Sequence, residues 1–295
     1  MSKINRVLIV GGTHGNELIG VYIIQKFERY PELVHRSSFE TVTLLGNPRA
    51  VAANTRYIDR DLNRCFAFSA DDPRAQTEYE LQRANEIQQE FGQGEHRPVD
   101  LIIDLHGTTS NVGAMLILDN LESFTLQLAS HLSATQPNLK IYSSANSGRN
   151  QDSLRSITPY RMGIEVGPVA HGTLHADLFQ STEQLVQNIL NYVDHYNNQG
   201  LPPIQPSTLS AYQYVGSIDY PRDEQNNLLA MIHPRLQFND FAALIPGDSI
   251  FLSFDGQTIF YQGDAVVYPV FINEAAYYEK GVAMVLTQQK VYDLE

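Results

Sequence analysis

The 295-residue chain has a single cysteine, Cys65, so no disulfide can form within it, and a reducing compartment is the expectation. No apolar run approaches the roughly 18 residues of a membrane span. Lys3 and Arg6 near the N-terminus are not followed by an apolar signal segment or a cleavage site, which leads us to expect a cytoplasmic protein. Basic residues are scarce. Twenty Lys and Arg stand against 33 Asp and Glu, a net charge of −13, with no basic cluster. Neither nucleic acid nor a membrane is therefore an expected partner. The acidity also repels anionic ligands at long range, so any anion site has to be built from local arginines. Internal repeats and low-complexity segments are absent as well.

What is present is ample core material: 43% of the residues are hydrophobic. The length suits one large or two modest domains. The run 7–10 (V-L-I-V) is β-branched and short, and reads as a buried strand broken by Gly11-Gly12. An amphipathic helix follows over 17–29, with Leu18, Val21, Ile24 and Phe27 inward. A strand at 40–45 ends on Gly46-Asn47-Pro48, and 51–68 reads as an ordered loop rich in Asn, Asp and Arg. Helix 77–91 stops at Gly92 and Gly94. The most central strand is 99–105 (V-D-L-I-I-D-L), ending on His106. Strand 114–118, helix 123–132, strand 141–144, strand 163–166 and a long helix over 174–197 complete an alternating series. This pattern predicts a largely parallel sheet covered on both faces. Segment 201–207 then carries three prolines in seven residues, which marks a linker. We place domains at 1–202 and 203–295, the second β-rich with short strands at 250–254, 258–261 and 266–272.

His14 and Glu17 sit three residues apart just after the first strand, and His106 closes a later one. In a parallel sheet the carboxyl ends of neighbouring strands share an edge, so the three can converge. Two imidazoles and a carboxylate are a donor set for a catalytic zinc, which keeps its fourth position open. Asp104, two residues before His106, is a candidate to orient that imidazole through its free N–H. The alternative is that both histidines are ordinary polar residues at strand ends. Glu165, within G-I-E-V-G-P, should be partly buried, and burial raises a carboxyl toward the range useful for a general base; pairing with an arginine is its alternative. Arg56, Arg64 and Arg155 lie in segments without regular pattern. Asn63 with Arg64 could clamp a carboxylate, because guanidinium donates bidentately. Arg56 could stabilise an oxyanion, and surface pairing with Asp59 and Asp61 is the plainer reading. Cys65 reads as a buried small hydrophobe, and His171 with His175 as a weak second metal pair. The Tyr pair in N-E-A-A-Y-Y-E-K (273–280) reads as packing, although a hydroxyl there could reach a substrate carboxylate.

Taken together, these blocks resemble the aspartoacylases, zinc amidohydrolases similar in fold to zinc carboxypeptidases and succinylglutamate desuccinylases. The resemblance rests on G-G-T-H-G-N-E-L (11–18), R-Y-I-D-R-D-L-N-R (56–64), D-L-H (104–106), G-I-E-V-G-P (163–168), D-Y-P-R-D-E (219–224) and Y-P-V-F-I-N-E-A-A-Y-Y-E-K (268–280), and covers nearly the whole chain. It implies a zinc carboxypeptidase-like α/β/α sandwich with a mixed, largely parallel sheet and a smaller β-rich C-terminal domain covering the active-site entrance. It implies one zinc per chain, on His14, Glu17 and His106. Glu165 would be the base that activates the attacking water and later protonates the leaving amine, and Arg56 would polarise the amide carbonyl. Asn63, Arg64 and Tyr277 would hold the α-carboxylate, and Arg155 the β-carboxylate of an N-acyl-aspartate. Dimers or tetramers are the implied assemblies. The departures are Gly107, where Asn is common and a looser loop follows, and Gln151, where a Tyr is typical. The segment E-K-G-V-A (279–283) resembles aminoacylases that prefer N-acetyl aromatic amino acids or mercapturates. Such an aminoacylase, a desuccinylase or peptidase, and a zinc-holding protein without turnover are the competing readings.

Overall fold

A computed structural model describes residues 3–69, 72–94, 97–148, 151–200 and 206–294. Residues 201–205 of the proline-rich linker, and with them the boundary placed at 202, lie outside the described residues. Up to residue 200 strands and helices alternate as β1 (Arg6–Gly11), α1 (Leu18–Arg29), β2 (Glu40–Leu45), α2 (Pro48–Ala53), α3 (Tyr79–Phe91), β3 (Leu101–Gly107), β4 (Gly113–Leu118), α4 (Ser123–Thr135), β5 (Leu139–Ser143), β6 (Tyr160–Gly167) and α5 (Ala176–Gln199). Strands then dominate: β7 (Thr208–Ile218), β8 (Ala230–Ile232), β9 (Ser249–Ser253), β10 (Thr258–Phe260), β11 (Tyr268–Val270) and β12 (Met284–Asp293).

Nine strands form one sheet in the order β11-β12-β7-β5-β4-β6-β3-β1-β2. The run β6-β3-β1-β2 is parallel. β4 is antiparallel to β6 but parallel to β5, and β5 is parallel to β7. The sheet is thus mixed and largely parallel through the first two hundred residues. Alternate residues along each strand reach opposite faces. Val7, Ile9, Leu101, Ile103, Leu105 and Ile164 share one hydrophobic core with Ile23 and Phe27 of α1, Leu128 of α4 and Ile189 of α5. Leu8, Val10 and Ile102 meet Leu81, Ile87 and Phe91 of α3 on the other. Burial on both faces explains the apolar run Leu101-Ile102-Ile103 that opens β3, a strand buried along its whole length. Beyond α3 the second face is covered by the C-terminal region, where Met115, Ile117 and Tyr142 pack with Phe241, Val270, Phe271 and Val285. A three-stranded sheet, β10-β9-β8, has its own core around Ile232, Phe251 and Ile272.

The structure differs from the sequence reading in places. Gly46-Asn47-Pro48 ends β2, as expected, but it also starts α2: the Asn47 side chain accepts the Ala50 N–H at 3.2 Å, and Pro48 takes the first turn, where its missing N–H costs nothing. The rest of 51–68 is loop apart from a 3-10 turn at Leu62–Arg64. β6 begins at Tyr160, three residues ahead of the expected strand, and β7, β8 and β12 had no counterpart in the sequence reading. Among the described residues, no helix is long and apolar enough to cross a membrane.

Candidate active site

At the carboxyl end of β1, Gly12 adopts a φ of +67°, a left-handed turn that favours glycine. The turn carries His14 over the edge of the sheet and delivers Glu17 to the position just before α1. Glu17 makes no capping bond with its side chain. Its carboxylate instead faces both histidines: Oε1 lies 2.6 Å from His14 Nδ1, and Oε2 lies 2.9 Å from His106 Nδ1. The Gly107 N–H donates to the same Oε2 at 3.2 Å. One ligand atom from each of the three residues lies within 4.8 Å of the others, and all three residues are buried. Burial alone would raise the Glu17 carboxyl, but the flanking His14 and His106 outweigh it and hold it well below the usual range.

The outer nitrogens of both imidazoles also face carboxylates. His106 Nε2 lies 2.6 Å from Asp104 Oδ2, and His14 Nε2 lies 2.9 Å from Asp61 Oδ1. Burial works against a charged His106, yet Asp104 and Glu17 raise its basicity well above normal. Asp104 also accepts the Thr13 hydroxyl at 2.7 Å. Asp61 accepts from Lys280 Nζ at 2.6 Å. Burial pushes the Asp61 carboxyl up; His14, Arg56 and Lys280 bring it far down. A carboxylate behind each imidazole fixes ring orientation and leaves both inner Nδ1 atoms facing Glu17. The donor set, its burial and these outer partners fit zinc.

Glu165 sits on β6 directly opposite His106 in register. Burial pushes its carboxyl up to about 8, with Glu17 and Glu274 adding to the rise against His106 and Arg56. Arg56 Nη1 donates to Glu17 Oε1 at 3.0 Å, and Nη2 lies 3.5 Å from Asp61 Oδ2. Asn63 accepts the Leu154 N–H at 2.9 Å, and Arg64 Nε stands 3.6 Å from Asp152. Tyr277 rides on a 3-10 turn, Ala275–Lys280, with its ring 5.5 Å from that of Phe271. Burial raises its hydroxyl, so it stays protonated as a donor. Glu274 fastens this turn to the loop after β3: it accepts the Thr109 N–H at 2.7 Å and the Thr108 hydroxyl.

His14, Glu17, His106, Glu165, Arg56, Asn63, Arg64, Arg155 and Tyr277 all line one cavity, and Asp104 stands behind His106. Gly107, expected to loosen a loop, is instead the last residue of β3 and is paired with Val166. Gln151 is exposed and does not line the cavity. His175 is exposed at the start of α5, and His171 faces Glu274 at 3.4 Å, so the two form no metal pair. Cys65 is buried, and burial pushes its thiol up to about 12, as a small hydrophobe requires. The sequence reading missed Asp61, Asp119, Glu274 and Lys280 as parts of the site. Asp61, Glu274 and Lys280 lie within blocks already singled out. Asp119 carries no local signal at all, since its partner Arg155 is 36 residues away.

Residues 3–193 match the succinylglutamate desuccinylase/aspartoacylase catalytic domain, and 207–289 match the barrel-sandwich hybrid domain of the same family. The chain belongs to the succinylglutamate desuccinylase/aspartoacylase family and is a hydrolase. It is 48% identical to a probable aspartoacylase of Nostoc sp., over 99% of this chain and 98% of that one. It is 40% identical to the human N-acyl-aromatic-L-amino acid amidohydrolase (carboxylate-forming), over 97% and 91%. The crystal structure of murine aminoacylase 3 superposes with a TM-score of 0.90 at 38% identity, covering 100% of this chain and 98% of the other.

Proposed function

We propose that this protein is a zinc-dependent amidohydrolase that deacylates N-acyl-L-aspartate, releasing aspartate and, from the N-acetyl compound, acetate. The observation that carries the proposal is the convergence of His14, Glu17 and His106 with Glu165 and Arg56 on one cavity. His14, Glu17 and His106 would hold the zinc, which when bound polarises a carbonyl and brings the pKa of water to about 7. Glu165 takes the proton from the attacking water onto its carboxylate and returns it to the departing nitrogen, a role suited to a carboxyl raised by burial. Arg56 donates to the oxygen that gains charge during attack. Asn63, Arg64 and Tyr277 hold the α-carboxylate, and Arg155 faces the side chain of the amino acid. Residues after 203 supply Tyr277, Lys280 and Phe271 to the cavity wall, which supports a catalytic domain over 1–202 and a covering domain over 203–295. The family resemblance adds a dimer or tetramer, which light scattering checks.

A second reading, N-acyl aromatic amino acids, draws on a different wall of the same cavity. Ile117, Tyr142, Tyr214, Phe271, Val282 and Val285 line it with apolar surface. Hydrolysis of N-acetyl-L-aspartate beside N-acetyl-L-tyrosine, before and after chelation and with zinc restored, separates the readings. Zinc-restored preference for the aspartyl compound supports the first, and preference for the tyrosyl compound the second. Turnover that persists through chelation defeats both.

A further inference from the structure

One part of the cavity lining is a buried charge cluster. Arg155 Nε and Nη2 donate to the two oxygens of Asp119, at 2.5 and 3.0 Å. Arg155 Nη1 donates to Asp104 Oδ2 at 3.2 Å. Asp119 also accepts the Ser144 hydroxyl at 2.8 Å. Both members of the bidentate pair are nearly inaccessible, Arg155 at 8% and Asp119 at 5%. Burial would raise the Asp119 carboxyl, and Arg155 outweighs it, so the carboxylate stays ionised. Gly163 gives the guanidinium its seat: a β-carbon there would come within 3.0 Å of Nη1. The group is therefore fixed rather than free to swing toward a ligand.

A guanidinium carries five N–H donors. Three are engaged here, which leaves one on each terminal nitrogen. The single positive charge stands between two carboxylates, so a second carboxylate on a substrate meets a cation that is already compensated. We infer that Asp119 is a specificity-determining residue: it occupies Arg155 as an internal carboxylate and thereby sets how tightly the cavity holds a substrate side chain carrying a second negative charge. The inference rests on the reading that this part of the cavity receives the amino-acid side chain. It adds that the hold on a dicarboxylate is attenuated by the protein itself. Asp119 also keeps the buried guanidinium from standing unpaired when no substrate is present.

The test uses the full-length zinc-loaded protein, with N-acetyl-L-aspartate and N-acetyl-L-alanine as paired substrates and L-aspartate and L-alanine as paired inhibitors. Asp119→Asn removes the charge and keeps the shape. The KM for N-acetyl-L-aspartate should fall relative to that for N-acetyl-L-alanine on the order of tenfold, and the inhibition constant of aspartate should fall in step, with little change in the ratio of kcat values. Asp119→Ser is a second neutral variant should the amide fail to fold. Ser144→Ala removes a bond to Asp119 but no charge, and its KM ratio should stay with the wild type. Equal shifts on both substrates, a rise in the aspartyl KM, or the same relative shift in Ser144→Ala would each overturn the inference. If the wild type hydrolyses neither substrate, the proposed function fails instead, and calorimetric binding of aspartate against alanine still reads the effect of Asp119.

Discussion

His106 and Glu165 are register partners on adjacent parallel strands. Neighbouring strands lie about 4.8 Å apart. The spacing between His106, proposed to hold the metal, and Glu165, proposed to move the proton, is thus held by the sheet and not by a loop. Pre-set geometry of this kind is what precise proton transfer needs.

Replacing Glu165 with Gln should lower kcat by about 10²- to 10⁴-fold while zinc content stays at the wild-type level. Steady-state rates and metal analysis on one preparation check both halves. Turnover near wild type would remove Glu165 from the proton-transfer role.

A pH effect accompanies that variant. Glu165 is raised from an unfolded value of 4.5 to about 8 in the folded chain. A raised pKa gives stability that is complete below the unfolded value and is lost as pH climbs to the folded one. Zinc-free wild type should therefore lose melting temperature relative to Glu165→Gln between about pH 4.5 and 8. Parallel melting curves over that window would contradict the burial effect.

Asp104→Asn and Asp61→Asn should each weaken zinc binding by about 10- to 100-fold, since each carboxylate orients one imidazole. Competition against a chromophoric chelator measures it. An unchanged affinity in Asp61→Asn would mean that this carboxylate serves only Arg56 and Lys280.

Gly163→Ala should displace the Arg155 guanidinium, because the added carbon would lie 3.0 Å from Nη1. Overpacking of a tight interior costs about 1–3 kcal/mol, readable by denaturant unfolding. A variant as stable as the parent would show that Arg155 can relocate freely.

Glu274→Gln should lower stability by about 1.5–3 kcal/mol per charged hydrogen bond lost and raise KM, since Tyr277 lies three residues on. Burial raises the Glu274 carboxyl, but His171 and Thr108 bring it down to about 2. Its stabilising effect is therefore present above 4.5 and lost as pH falls toward 2, so the two melting curves should converge in acid. A constant gap between them would point to shape rather than charge.

Much of the candidate site is readable in the residues because each half of the proposed metal group follows an apolar run, 7–10 or 99–105, that reads as a strand. His14, Glu17 and His106 fall at carboxyl ends that a parallel sheet must align. The parts that escape are those defined by pairing across the chain. Asp61 reads as a surface partner for Arg56 until β1 brings His14 beside it. Asp119 becomes visible only once Arg155 is laid over Gly163. α2 is hidden because Asn-Pro both ends a strand and begins a helix. β7 alternates legibly, with Leu209, Ala211 and Gln213 buried, yet nothing in its own sequence says that it joins the first sheet.

That junction has a mechanical consequence. Tyr142 and Ser143 of β5 pair with Tyr212 and Gln213 of β7, so the C-terminal strands continue the catalytic sheet. A chain cut at the prolines would not be an enzyme with its cover removed; it would be a sheet with a raw edge, ready to zip onto its own copies. Transplanting this C-terminal region onto another member of the family would succeed only where the recipient offers β7 the same two-residue seam.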